Sequence, residues 1–480
     1  SNAHSASWFN SASNWGGGAA QIVTGSTVHL CGIITTQLIT QGSGSAGRPI
    51  TVRWEDNAKI SLPFCDNYNG CFGLGASSYI VLDGGINGII EATANGTALA
   101  NHQDGKAITG NSNNQNIEIK NLTIQNIYVR SRNDPTNGVG NTPASYMRGN
   151  YSNFSFHDNT VHHASGGPNF VAESTASNVT LYNNNIYNIN TGIVIAGSSR
   201  ITQSNILIYN NHIHDFANWD EASNTYHHNG VFIFGPPVAC CASAPIYAGL
   251  KIYNNLFDGD IGDHATSLGV YFAEATFPDA LIFNNVVAPS NNPASANGLF
   301  VIGPYTSNVA MYNNTLACAS AGANPSAITM GGNSGPGSSY TLKNNLVINC
   351  GAFVVSTEAV SHFSANGLDN NVYVRANGAA WKIHSAFMVS LSDWQVETSQ
   401  DRNARYSNDT AGLDFLFRPQ AGSSAIGAGL NLTSTGIFAL NFDKAGAARS
   451  ASGVWDAGAY AFSGITNLQR PPLPSGLQIR

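Results

Sequence analysis

The sequence predicts an all-β chain wound as a single-stranded right-handed parallel β-helix, a solenoid. Two repeated phrases and a low charge content predict it. The first phrase reads LYNNNIYN (181–188), IYNNHIHD (208–215), IYNNLFDG (252–259), IFNNVVAP (282–289), MYNNTLAC (311–318), LKNNLVIN (342–349) and LDNNVYVR (368–375), with a weaker copy, FHDNTVHH, at 156–163. Each copy puts an asparagine in one slot: Asn159, Asn184, Asn211, Asn255, Asn285, Asn314, Asn345 and Asn371, spaced by 25 to 44 residues. A period in that range marks a solenoid or an array. The second phrase is a Gly or small residue leading into alternating apolar residues: GIVIAG (192–197), GVFIFG (230–235), GVYFAE (269–274), GLFVIG (298–303), AITMGG (327–332) and AFVVS (352–356). Period-two alternation rich in Val, Ile, Phe and Tyr, bounded by Gly, Asn and Ser, reads as short strands. Several short strands per period, with no helical spacing between them, stack coil on coil. Asn suits the corners, because it tolerates a left-handed backbone and its amide can bond to the Asn one coil above and below.

Composition agrees. Only 10% of the 480 residues are charged, 50 are Gly, and the formal net charge is −7. That argues against a coiled coil and against nucleic-acid binding, which needs a basic surface. There is no apolar span of membrane length, and a monomer is expected. The seven cysteines (Cys31, Cys65, Cys71, Cys240, Cys241, Cys318, Cys350) fit no zinc spacing. Cys65 and Cys71 flank a turn-like DNYNG, and Cys318 and Cys350 end phrases in adjacent coils. These are the two expected bridges, and they point to a secreted, periplasmic or cell-surface setting.

Along the chain, Ser1-Asn2-Ala3 reads as a tag scar, 4–375 as the β-helix, 376–462 as its closing segment and 463–480 as a flexible tail. YIVLDGG and IEIKNLTIQNIYV, within 79–130, read as two coils, and 86–112 between them as a polar loop. The stretch Ser43-Gly44-Ser45-Ala46-Gly47-Arg48-Pro49-Ile50 resembles the SGTAGxPI-like turn in the first coil of secreted bacterial β-helix proteins. RPQAGSSAIGAG (418–429) and FDKAGAARSASGVWDAGAY (442–460) resemble the end of the right-handed parallel β-helix repeat family of the pectate-lyase-like superfamily. Gly427 stands where that family has Asp, and Ala461 where it has Glu. The resemblance covers most of 20–462 and implies the fold. It implies function only broadly, since the architecture hosts lyases, hydrolases, epimerases and adhesins.

Chemistry belongs on the outer faces and loops, because the interior is packed. Coil lengths single out one coil. From the Asn slot to the following Gly takes 19 residues after Asn211, against 8, 14 and 13 after Asn184, Asn255 and Asn285. Long insertions at one point of an array build a wall or lid. The insertion, HIHDFANWDEASNTYHHNG, is dense in titratable groups, and the next coil brings DGDIGDH. An extended, acidic polysaccharide is the expected partner, because a solenoid offers a long shallow groove. Trp219 and Tyr271 are expected to stack on sugars, with His163, Glu173 and Glu274 as further binding groups. Asp258, Asp260 and Asp263 offer closely spaced oxygens for Ca²⁺, the alternative being an acidic turn capped by its own backbone.

Two cleavage mechanisms stay open. In β-elimination, Arg148 or the cation neutralises a uronate, His227 or His228 removes the C5 proton and Tyr226 protonates the leaving oxygen. In hydrolysis, Asp220 or Glu221 opposes Asp258, Asp263 or Glu274 across the scissile bond. The pectate-lyase-like Arg-x-Pro-x-x-Arg and the polygalacturonase-like Asn-Thr-Asp, Asp-Asp, Gly-His-Gly series are absent, and no Lys falls between 121 and 250, which speaks against a Lys-based lyase. The alternative is a non-catalytic glycan-binding or cell-surface structural protein.

Overall fold

The structure, a computed structural model, describes residues 3–94, 104–127, 142–216, 228–236, 244–262, 265–291, 296–303, 306, 308–319, 325–331, 339–356, 360–375, 380–408 and 412–464. The chain is a parallel β-helix solenoid. Each coil lays down strands on three facets, and every facet pairs in parallel with the same facet one coil on. In the coil after Asn159 these are Ala176–Tyr182, Asn185–Tyr187 and Thr191–Gly197. The first facet keeps a constant register, Tyr182↔Tyr209↔Tyr253↔Phe283↔Tyr312↔Lys343. So does the second, through Ile186↔Ile213↔Phe257↔Val287↔Leu316↔Val347↔Tyr373, all buried. Helix is confined, among the described residues, to Ala6–Phe9, Leu391–Thr398 and short 3₁₀ turns.

The repeated Asn-Asn divides two tasks that one residue was expected to perform. The first Asn of each pair takes the left-handed backbone at the corner between facets: Asn183, Asn210, Asn254, Asn284, Asn313, Asn344 and Asn370 have φ between 50° and 61°. The second, the slot residue, points inward and builds the ladder. Nδ2 of Asn184, Asn211, Asn255, Asn285, Asn314 and Asn345 donates to Oδ1 of the next slot Asn at 2.9–3.0 Å. Asn371 ends the line on Asp401 at 2.8 Å. The expected line of Asn along one corner is therefore present.

One local expectation fails. The polar loop placed at 86–112 begins instead as strand: Ile80–Ala92 is continuous and buries Ile90. Gly84-Gly85 and Asn87-Gly88 hide the apolar period there, because Gly fills positions where a side chain would meet the neighbouring coil (a Cβ on Gly84 would lie 2.1 Å from Asn121 O).

Both expected disulfides form, Cys65–Cys71 and Cys318–Cys350. Cys31 is a free, exposed thiol, and Cys240 and Cys241 lie outside the described residues. Non-reducing peptide mapping is expected to recover 65 linked to 71 and 318 linked to 350. Recovery of all four as alkylated thiols would contradict both bridges. No helix of the described residues is long and apolar enough to cross a membrane.

The closing segment does not stop at the end of the solenoid. Residues 412–461 run back along its outside. Ala425, Ala428 and Ala457 pack on Ala317, Leu346, Ile348, Val372 and Val374 of the second facet, and Leu432, Leu440 and Trp455 pack on Phe283 of the first. The corner asparagines tie it down: Asn284 donates to Phe442 O, Asn313 to Asp456 O, Asn344 to Leu430 O and Asn370 to Ala428 O, at 2.7–3.0 Å.

Candidate functional site

The outer face of the second facet changes character where this cover ends. Its strands are short and alternate, so in each coil the two residues flanking the buried one point outward. Under the cover these are Val286 and Ala288, Thr315 and Ala317, Leu346 and Ile348, and Val372 and Val374. At its edge they are Leu256, which packs on the cluster of Val286, Ala459 and Tyr460, and Asp258; beyond it they are His212 and His214, Asn185 and Tyr187, and Thr160 and His162. Small apolar residues line the covered part. Imidazoles, a phenol and a carboxylate line the open part.

Successive coils rise ~4.8 Å, so equivalent side chains meet. His162, Tyr187 and His214 stack ring on ring at 4.9 and 5.0 Å. His212 stacks on His214 at 4.0 Å. Each of that pair holds a carboxylate: His212 Nε2 lies 2.7 Å from Asp258 Oδ1, and His214 Nδ1 lies 2.7 Å from Asp215 Oδ2. His214 Nε2 is 3.0 Å from Asn185 Oδ1. Asp215 is fixed in turn by the Asp260 N–H at its Oδ1, 2.9 Å. Burial would raise the Asp215 carboxyl, but the His214 hydrogen bond, the Asp260 N–H and the nearby imidazoles together hold it below its ordinary value. One residue of the closing segment reaches this place. Lys444 donates to Asn254 O; burial lowers it to about 8, opposed by the charge of Asp258.

Further along, His162 and His163 face each other Nδ1 to Nδ1 at 2.7 Å, and burial, helped by His163, lowers His162 to about 4. His163 takes φ 52° at the second corner, where other coils have Asn188 and Asp215.

The other sequence-predicted residues divide as follows. Trp219, Asp220, Glu221, Tyr226, His227 and Asp263 lie outside the described residues. His228 is fully buried, with Nδ1 3.0 Å from Ile261 O and Phe216 beside it. It opens the strand His228–Phe234 at a corner that two coils close over. Arg148 and Glu173 pair with each other, Nη2 to Oε1 2.6 Å, which raises the guanidinium. Arg148 is in register with Ala273 four strands on, roughly 19 Å along the axis, and Glu173 follows a strand three strands before that of Ala273. Glu274 also ends a third-facet strand, at the edge away from His214, with φ 56° and its carboxyl raised by burial. Tyr271 lies on the third facet with one ring face on Phe232, at 4.9 Å and 6°. Burial, then the Glu274 charge, raises its hydroxyl. Asp258 and Asp260 have different surroundings: Asp260 Oδ1 accepts from Gly262 N and Asn291 Nδ2, as a turn-capping carboxylate does.

The first-facet aromatics Tyr182, Tyr209, Tyr253 and Phe283 stack on one another at 4.8–5.0 Å. Their inner faces are thus used within the protein.

His212 and His214 were visible in the sequence as part of HIHD but carried no assigned role. The signal was the pair of residues one and three places after each Asn slot, which turns from apolar to titratable. Lys444 left no signal, being 230 residues from His214 in sequence.

No family model matches the chain, and no curated protein matches it. Solved structures do. A structure of XylC in complex with xylose is similar over 93% of this chain and 94% of that one, at 12% identity and TM-score 0.48. The A-module of the Azotobacter vinelandii mannuronan C-5 epimerase AlgE4 is similar over 64% and 89%, at 12% identity and TM-score 0.28. A mutant tailspike of the E. coli bacteriophage HK620 in complex with a hexasaccharide is similar over 79% and 73%, at 11% identity and TM-score 0.30.

Proposed function

We propose that the protein binds an extended, acidic polysaccharide along the open part of the second facet and cleaves it there by β-elimination. One observation carries this reading: the closing segment covers the outer face of the later coils, and the face left open presents His212, His214, Asp215 and Asp258 together. Two imidazoles, each oriented by a carboxylate, supply what elimination requires. One neutral ring takes the proton next to the uronate carboxyl, and a protonated ring returns a proton to the leaving oxygen. Asp258 at His212 Nε2 leaves Nδ1 as the basic nitrogen. His214, with an oxygen at each nitrogen, is the ring better held as a donor. Lys444 supplies positive charge beside the substrate carboxylate. The two disulfides support an extracytoplasmic setting, and the pectate-lyase-like relationship, Tyr226, His227 and a monomeric state remain part of the same proposal.

The test is incubation with a panel of acidic and neutral polysaccharides. Absorbance from a new double bond is the expected result, and His212→Ala or His214→Ala should lower turnover ~10²-fold or more without changing the melting temperature. New reducing ends without that absorbance mean hydrolysis. Retention without product means a glycan-binding protein.

A further inference from the structure

We infer that the same cluster is a binding site for one divalent transition-metal ion of the zinc class. This deepens the functional proposal, because it names a ligand that competes for the proposed acid and base. His212, His214 and Asp258 each place a ligand atom within 4.8 Å of the other two. They come from two successive strands in register, His212–His214 and Leu256–Gly259, so the backbone ladder fixes their spacing. Ligand bonds of ~2.0–2.2 Å hold the donors of a tetrahedral ion ~3.3 Å apart, so the three need close by no more than ~1.5 Å, which side-chain rotation supplies.

The donor types choose the ion. Two imidazole nitrogens and one carboxylate suit zinc, cobalt, nickel or copper, whereas calcium takes oxygens alone. The surroundings are those of a built site. Asp215 takes His214 Nδ1 at 2.7 Å and leaves Nε2 as the ligand atom, while Asp215 is itself held by Asp260 N–H. A carboxylate behind a ligating histidine fixes its tautomer and raises its basicity. Asn185 Oδ1, 3.0 Å from that Nε2, stands beside the ligand atoms as a further oxygen. The position is half-open, with a fourth place facing outward for water or a substrate oxygen. An ion here occupies the nitrogens that elimination needs, so the ion-bound and the turning-over states exclude each other.

The test uses the full chain, stripped with chelator, and titrates Zn²⁺ by calorimetry and Co²⁺ by visible absorption. The expected result is one ion per chain with a Co²⁺ spectrum of nitrogen and oxygen ligation. His212→Ala and Asp258→Ala should each weaken binding ~100-fold or more. Asp215→Asn, which removes no ligand, should weaken it ~10–100-fold. His384→Ala, an exposed histidine on another part of the solenoid, should leave it unchanged. Circular dichroism and melting establish that each variant is folded. Binding of Ca²⁺ in place of Zn²⁺ and Co²⁺, or undiminished Zn²⁺ binding in His212→Ala, overturns the inference. Zn²⁺ bound with no product from any polysaccharide overturns the functional proposal and leaves the site standing. Product formed by a chain that binds no ion does the reverse.

Discussion

Replacing Asn255 by Ala is expected to lower the unfolding free energy by about 4 kcal/mol, read by denaturant titration. Asn255 is fully buried in the middle of the ladder. Its Oδ1 accepts from both Asn211 N and Asn211 Nδ2 at 3.0 Å, and its Nδ2 donates to Ile208 O at 2.9 Å and Asn285 Oδ1 at 3.0 Å. Alanine removes all four bonds. The Asn211 backbone N–H loses its acceptor outright, and a buried unpaired donor costs ~1–3 kcal/mol by itself. Two of the other losses are partial, because Asn211 Nδ2 keeps Leu181 O and Asn285 Oδ1 keeps the Asn255 N–H. An internal comparison comes from the second, exposed ladder, where Asn178 Nδ2 donates to Asn153 Oδ1 and Asn205 Nδ2 donates to Asn178 Oδ1. Asn178→Gly removes that rung while keeping the left-handed backbone (φ 57°), and water takes over its bonds, so its cost should stay under ~1 kcal/mol. Equal losses in the two variants would mean that burial is not what gives the ladder its strength.

Stability is expected to fall by about 3 kcal/mol between pH 4 and pH 6 through one group, Asp401. This carboxylate ends the ladder, fully buried, and accepts from Asn371 Nδ2, Tyr373 Oη and Trp394 Nε1 at 2.6–3.1 Å. Burial raises it from 3.8 to about 6, against those three donors, which favour the charged form. Between the two values the folded carboxyl keeps its proton while the unfolded one has lost it. The folded chain therefore binds more protons in this window, and its stability declines as pH rises through it and is level above. Asp83, Glu91, Glu118 and Asp215 act in the opposite sense: each is held below its ordinary value, so each withdraws stability as pH falls through the acid range. The decisive measurement is thus the difference between the parent chain and Asp401→Asn across pH 4–7. A step in the parent that the variant lacks is expected, and parallel curves would refute it.

Much of the fold was legible because a solenoid writes its period into the chain. The Asn slot marked the corner and the coils from 159 to 371, and the position of Cys318 and Cys350 at the ends of matching phrases pointed to a bridge between neighbours. The division of labour within Asn-Asn was not legible, since either residue tolerates either place. The site was legible in part. Coil length drew attention to the region after Asn211, and the described cluster lies at its start. The burial of His228 was not legible, because alternation alone does not reveal that a corner is closed over by Phe216 and Ile261. Lys444 and the cover were beyond sequence reading, because nothing in 412–461 declares that it folds back over strands up to two hundred residues earlier.

That cover also sets an order of events during synthesis. The coils can pair as they emerge, each on the one before. Yet Phe283, Val286, Leu346, Ile348 and Val372 stay wet until Leu432, Trp455, Ala457 and Ala459 have been translated. A chain on the ribosome therefore carries a long apolar stripe over already finished coils, the kind of surface that chaperones hold and that neighbouring nascent chains join. Release from that state comes only once residues 412–461 have been made and have folded back over those coils.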